Sequence, residues 1–353
     1  MNKVLAISKE YKMQIKLKPI KEQVIVVFGA SSGIGRIAAI DFAGRGAKVV
    51  VAARSEEGLK SLVEEIEASG GEAHYLIADA ADFQQVKNVA DSTFEKFGRL
   101  DTWVHSAAAF IFAKVEQTEP EEYKRLIEVN LLGQIYGAKA ALPYLKKNGG
   151  ALIHISSVEA WRTVPYQSAY GASKHGINGF VQALRVELAH DEVPVSVSQI
   201  LPAAINTPIY DKGRNKMPFK PRPVPPIYHP QIVSDAILYA AENPVTDLVA
   251  GGAGVGVVLA ERFSPGLAEW MSGLTGFAGQ KTDEKIDGKY DGNLFETVGG
   301  FDTVEGRFSD EQLKSDPITW LATHPAQKNI LLSVGGLVGG LLAWRFLRGT
   351  ENK

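Results

Sequence analysis

The chain has 353 residues, 45% hydrophobic and 22% charged, which suits a globular protein of one large domain plus an extension, or of two domains. Its 40 acidic and 38 basic residues leave a net charge of -2, so no basic excess points to a nucleic-acid partner. The absence of cysteine excludes disulfides, thiolate nucleophiles and Cys-ligated metals, and fits a cytoplasmic catalytic domain.

Residues 1–22 carry six lysines and no apolar stretch of the kind a secretory signal needs, so they read as a lead-in to the first strand. The apolar run 24–28 ends at Gly29 and predicts a strand buried on both faces. Helical spacing follows over 33–45, a strand over 48–52, and a helix over 55–70 with Ser55 as N-cap. Strands at 73–78, 100–105, 151–156 and 193–200 alternate with helices at 82–97, 120–147 and 168–190. Strands separated by helices of this length build βαβ units and a parallel sheet. The predicted fold is α/β, a Rossmann-type doubly wound sheet over 23–260.

Residues 202–230 hold eight prolines and exclude regular structure, so they are expected to form a lid. A last helix is predicted at 231–242 and a last strand at 247–250, with the glycines of 251–256 forming a close turn. Residues 277–328 are polar and rich in Gly and Asp, and 261–328 are expected to be an extended or partly disordered linker. The segment 330–347, ILLSVGGLVGGLLAWRFL, would be about 27 Å long as a helix, near the bilayer's apolar thickness. It is expected to be a transmembrane helix over 329–348 that anchors the protein. The alternative is an apolar helix against the domain or a partner subunit.

The turn Gly29-Ala-Ser31-Ser32-Gly33-Ile34-Gly35 joins the first strand to the first helix. Glycines there let backbone approach a pyrophosphate, and the helix N-terminus offers N–H groups and a positive dipole end. The same residues match the nucleophile elbow of hydrolases with Ser31 as nucleophile, but such an elbow normally follows several strands. The second strand ends in Ala53-Arg54 with no carboxylate for a ribose hydroxyl, and an arginine suits a 2′-phosphate, so NADP(H) is expected over NAD(H).

Ser157 lies just past a strand, with Tyr170 thirteen residues on and Lys174 four beyond that, on one face of a predicted helix. A phenol is too weak an acid for proton transfer at neutral pH, and a neighbouring ammonium favours its ionised form. A serine hydroxyl can hold the substrate oxygen. The seven histidines are scattered, and no metal site is expected. His154 reads as a core residue. Trp161, Tyr166, Tyr210 and Phe219 are candidates to line a substrate pocket.

Over about residues 20–255 these motifs resemble the short-chain dehydrogenase/reductase family. The family's glycine turn matches Gly29, Gly33 and Gly35. Its adenine-side aspartate matches Asp79, its tetrad asparagine Asn130, and its Ser, Tyr and Lys match Ser157, Tyr170 and Lys174. Its nicotinamide-side residues match Pro202-Ala203 and Thr207, and Ala107 falls in the segment after the fourth strand. The resemblance implies a Rossmann fold and hydride transfer between NADP(H) and a carbonyl or alcohol. It implies Tyr170 as general acid/base, Lys174 also on the nicotinamide ribose, Asn130 in a water-linked proton relay, and a homodimer or homotetramer. If the C-terminal segment is membranous, an apolar, lipid-like ketone is the preferred substrate class. The alternative is a non-catalytic nucleotide-binding sensor or scaffold at a membrane. Three departures stand out: Phe28 in place of Thr, His105-Ser106-Ala107-Ala108 in place of Asn-Asn-Ala-Gly, and Ala203 after Pro202 in place of Gly.

Overall fold

The computed structural model describes residues 15–286 and 289–328. The expected transmembrane segment lies outside them, and no helix among the described residues is long and apolar enough to cross a membrane.

Seven strands form one parallel sheet: β1 (Val24–Phe28), β2 (Lys48–Ala53), β3 (Glu72–Ile77), β4 (Thr102–His105), β5 (Gly150–Ile155), β6 (Val195–Pro202) and β7 (Asp247–Ala250). Their order across the sheet is β7-β6-β5-β4-β1-β2-β3. The chain runs outward one way from β1 to β3 and then crosses to β4 on the other side. That reversal opens a crevice at the carboxyl ends of β1 and β4.

Alternate residues of the strands feed two apolar layers. Ile25, Val27, Val49 and Val51 face α1 (Gly33–Gly44), α2 (Glu56–Ala68) and the later helix Gln231–Glu242, through Phe42, Leu59, Leu62, Ile232 and Ile237. Val26, Phe28 and Val50 face α3 (Phe83–Phe97) and the helices that follow it, through Val86, Leu145 and Ile177. Side chains of Ser55 and Asp82 cap α2 and α3 by accepting from main-chain N–H groups.

The helix expected at 120–147 is broken. It consists of α4 (Pro120–Ile127), one π turn over Glu128–Leu132, and α5 (Gly133–Asn148). Such a turn frees a main-chain carbonyl from its helical partner and often marks a functional site. The next helices are α6 (Ser168–His190) and α7 (Gln231–Glu242).

The proline-rich segment is pinned by residues far along the chain. Phe219–Pro221 pairs antiparallel with Lys281–Lys285, and Ile227–Tyr228 pairs with Gln312–Leu313. Residues 261–328 therefore differ from the expected linker. They hold the end of α8 (Gly252–Phe263), α9 (Pro265–Thr275), the Lys281–Lys285 strand and α10 (Pro317–Thr323). The glycines of 252–256 begin α8 instead of making a turn. Their missing side chains allow close approach: a Cβ on Gly254 would lie 2.6 Å from Val158.

Candidate active site

The carboxyl ends of β1, β4, β5 and β6 surround one cavity of about 560 Å³. At one end Gly29 turns with φ +88°, and a Cβ there would lie 2.3 Å from the Ala107 amide nitrogen. A Cβ on Gly35 would lie 2.2 Å from the Gly29 carbonyl oxygen, which locks α1 against the turn. Ser31, Ser32, Gly33 and Ile34 line the cavity, with Arg54, Asp79, Ala107, Pro202 and Thr207. A glycine cradle opening onto a helix N-terminus suits a dinucleotide pyrophosphate, so the residues present fit the expected nicotinamide cofactor.

The departures from the family pattern are accommodated together. Phe28 is buried and stacks on His105, rings 5.1 Å apart and 3° from parallel, with Trp103 beyond it. One aromatic stack thus replaces two polar positions. Burial holds His105 well below the usual imidazole range, so the ring is neutral. Ala108 lines the cavity and is not among the residues with positive φ, so its Cβ brings no backbone strain.

At the other end stand Ser157, Tyr170 and Lys174. Lys174 is 1% exposed and donates to the Ile155 carbonyl at 3.0 Å, with its Nζ 5.2 Å from the centre of the Tyr170 ring. Burial pulls its ammonium down to about 7, against a smaller upward pull from Glu159. Burial, and then the Glu159 charge, raise the Tyr170 phenol, while the Ser157 hydroxyl lowers it. Ser157 Oγ accepts from the Glu159 N–H at 3.1 Å. Asn130 sits in the π turn. Its Oδ1 accepts from Ala109 N–H at 2.6 Å, and its Nδ2 donates to Ala109 O at 3.0 Å and Ser173 Oγ at 3.3 Å. The side chain thereby ties α4 and α5 to the loop after β4 and to α6.

Sequence reasoning missed several residues here. Gln134 donates to the His105 and Ile155 carbonyls and bonds His154 at 2.6 Å, clamping the ends of β4 and β5. His154 is a buried core residue, as expected, and burial holds it down to about 3. Glu159 lines the cavity, with no hydrogen-bond partner for its Oε2 among the described residues, and burial pushes its carboxyl up to about 8. Of the four expected pocket aromatics, only Tyr210 lines the cavity. Tyr166 and Phe219 instead pack edge-on around Phe112, and Trp161 lies under the Arg262 guanidinium.

Four expected cofactor contacts are already engaged: the Gly33 N–H donates to the Thr303 carbonyl at 2.8 Å, Ser32 Oγ accepts from Lys212, and Asp79 and Arg54 are bonded as follows. The Asp79 carboxylate takes Arg125 at 2.6 Å and the Ala81 N–H at 2.9 Å. The Arg54 guanidinium, expected to face a 2′-phosphate, donates to the carbonyls of Asn293 at 2.6 Å and Phe295 at 2.9 Å.

A doubly wound sheet with Ser, Tyr and Lys gathered at its carboxyl edge defines a dinucleotide-dependent oxidoreductase site. The short chain dehydrogenase family model matches residues 23–218. An uncharacterized oxidoreductase of Bacillus subtilis, YxnA, is 34% identical over 342 residues, covering 94% of this chain and 92% of that protein. The 3beta-hydroxysteroid dehydrogenase of Mediterraneibacter gnavus is 33% identical, covering 54% of this chain and 69% of that protein. An alcohol dehydrogenase from the archaeon Thermococcus sibiricus, solved with 5-hydroxy-NADP, superposes with a TM-score of 0.57 at 27% identity. That match covers 64% of this chain and 95% of the archaeal one. The chain belongs to the short-chain dehydrogenase family and is an oxidoreductase. The hydrolase reading of Ser31 falls with that assignment.

Proposed function

We propose that the protein interconverts an apolar ketone and its secondary alcohol, with a nicotinamide dinucleotide in the glycine-lined end of the cavity and the substrate in the other. The observation that carries this reading is the meeting of Ser157, Tyr170 and Lys174 in one cavity with the glycine turn.

When bound, the nicotinamide supplies or accepts the hydride. The protein's own residues handle the oxygen. Ser157 donates a hydrogen bond to the substrate oxygen and orients it. Tyr170 gives that oxygen its proton in reduction and removes it in oxidation. The Lys174 ammonium favours the phenolate form of Tyr170, and it is itself held by the Ile155 carbonyl. Asn130 fixes the π turn, and a carbonyl released there suits a relay water between Lys174 and solvent. Metal ions have no part in this scheme.

The substrate end is walled by Phe110, Val158, Val164, Tyr210, Val257 and Met271. On α8 and α9, which contribute to that wall, Phe263, Leu267, Trp270 and Leu274 are exposed. Similarity to hydroxysteroid dehydrogenases supports an apolar substrate. The Thermococcus enzyme's bound NADP derivative supports a nicotinamide dinucleotide. Family members commonly assemble as dimers or tetramers, and a small-molecule substrate with a homo-oligomer is the expected arrangement.

The test is a screen of alicyclic and steroidal ketones and alcohols with NADH and NADPH, run on the wild type and Tyr170→Phe. Removing the proton donor should lower kcat by about 10²–10⁴-fold with cofactor binding retained. Undiminished turnover in Tyr170→Phe would refute the role.

A further inference from the structure

Dinucleotide folds read the adenosine ribose at the end of β2. A carboxylate there accepts from the 2′-hydroxyl of NAD, whereas an arginine accommodates the 2′-phosphate of NADP. In this chain β2 ends in Ala53-Arg54 and brings no acid. The C-terminal region brings one instead. Residues 293–308 run as a strap across the carboxyl edge of the sheet. Leu294 is fully buried, and its carbonyl accepts from Arg125 Nε at 3.2 Å. The carbonyls of Asn293 and Phe295 take Arg54. The Thr303 carbonyl accepts the Gly33 N–H at 2.8 Å, and the Phe308 N–H donates to Asn206 Oδ1 at 3.1 Å.

Between these anchors Asp302 is set against the N-terminus of α2. A Cβ built on Gly58 would lie 2.2 Å from Asp302 Oδ1 and 3.0 Å from Ser31 Cβ. Ser55 Oγ lies 3.5 Å from the same carboxylate oxygen. Asp302 thus fills the corner formed by Ser31, Ser55 and Gly58, and it lines the cavity beside Arg54. The corner lies at the end of β2, where dinucleotide folds read the adenosine ribose.

Two consequences follow for that substituent. A hydroxyl there meets a ready acceptor. A phosphate meets a carboxylate in contact range, an arginine with two donors already bonded to main chain, and a Lys212 ammonium that already faces the Asp302 charge and donates to Ser32 Oγ. We infer that the C-terminal strap supplies the ribose-reading acid that β2 lacks, so that Asp302 selects the 2′-hydroxyl of NAD(H) against the 2′-phosphate of NADP(H). This reverses the preference expected from Arg54 alone and makes Arg54 a pin for the strap. It rests on the reading that the glycine-lined end holds a nicotinamide dinucleotide. The similarity to YxnA covers 94% of the chain and so extends over the strap, whereas the family model stops at residue 218.

The experiment is calorimetric titration of NADH and NADPH into the full chain as wild type, Asp302→Asn, Asp302→Ala and Arg54→Ala. Wild type should favour NADH. Both Asp302 variants should shift the affinity ratio toward NADPH by about tenfold to a hundredfold, the range set by a like-charge contact, mainly through tighter NADPH binding. Arg54→Ala should weaken both nucleotides together by loosening the strap. A wild-type preference for NADPH overturns the inference, as does an unchanged ratio in Asp302→Asn with its near-ultraviolet circular dichroism intact. A selective loss of NADPH binding in Arg54→Ala also counts against it. Binding of neither nucleotide by the wild type would instead defeat the proposed function.

Discussion

Glu159 offers a sharp test of the site's electrostatics. Its carboxyl is 9% exposed, and burial pushes it up to about 8 from an ordinary 4.5. The sign follows from linkage. Because the folded state holds this proton more tightly, stability is greatest below pH 4.5 and is lost as the pH rises to about 8. The loss is about 1.4 kcal/mol for each pH unit across that interval, or about 3 kcal/mol at pH 7 and about 5 kcal/mol by pH 9. Glu159→Gln keeps the shape and removes the titration. The variant should therefore match wild type near pH 4 and melt roughly 5–10 °C higher at pH 7, with a wider gap at pH 9. Differential scanning fluorimetry across this range reads the difference directly. A gap independent of pH would show that the carboxyl is not buried against its charge. The same variant bears on chemistry. An ionised Glu159 raises the Tyr170 phenol, so alcohol oxidation above pH 8 should be faster in Glu159→Gln than in wild type.

Two further predictions concern the segments that close the site. Leu294→Ala removes the strap's buried anchor and should cost about 2–5 kcal/mol locally, seen as faster proteolysis between residues 289 and 308 and weaker binding of either nucleotide. Equal protection in wild type and variant would mean that the polar contacts alone hold the strap. Lys216→Met leaves buried Glu122 without one of its two cationic partners, buried Lys216 at 2.6 Å and half-buried Arg214. It should lower stability by about 3–5 kcal/mol, checked by urea denaturation, and an unchanged midpoint would refute the account.

The sheet, the glycine turn and the cluster of Ser157, Tyr170 and Lys174 were legible in the sequence because each is a local pattern. β1 declares itself by five consecutive apolar residues, and Tyr170 and Lys174 by their spacing on one helix face. Asn130 was legible as a residue, but the π turn around it was not, since the apolar spacing runs on through α4 and α5. Phe28 and His105 read as two separate departures and proved to be one aromatic stack, a pairing set by the neighbouring registers of β1 and β4. The strap was illegible for a plainer reason. Its anchors are single residues in a polar run, and helical or strand periodicity has nothing to measure in one leucine. Asp302 gains its meaning from Gly58, a residue 244 positions away whose missing side chain makes the corner.

The extension serves both halves of one cavity. α8 and α9 wall the end beside Val158, while the strap closes the glycine-lined end. The two differ in how they are held. α8 meets Val158 and Val249 through Gly254, a contact between rigid elements of the core. The strap is held by main-chain hydrogen bonds, by Glu305 on His229 and Arg307 on Asp211, and by only two buried apolar residues, Leu294 and Phe308; segments with few buried apolar contacts open at lower free energy than the core they cover. Opening the strap therefore requires breaking the Arg54 and Gly33 contacts, whereas moving α8 requires parting it from the core at Gly254.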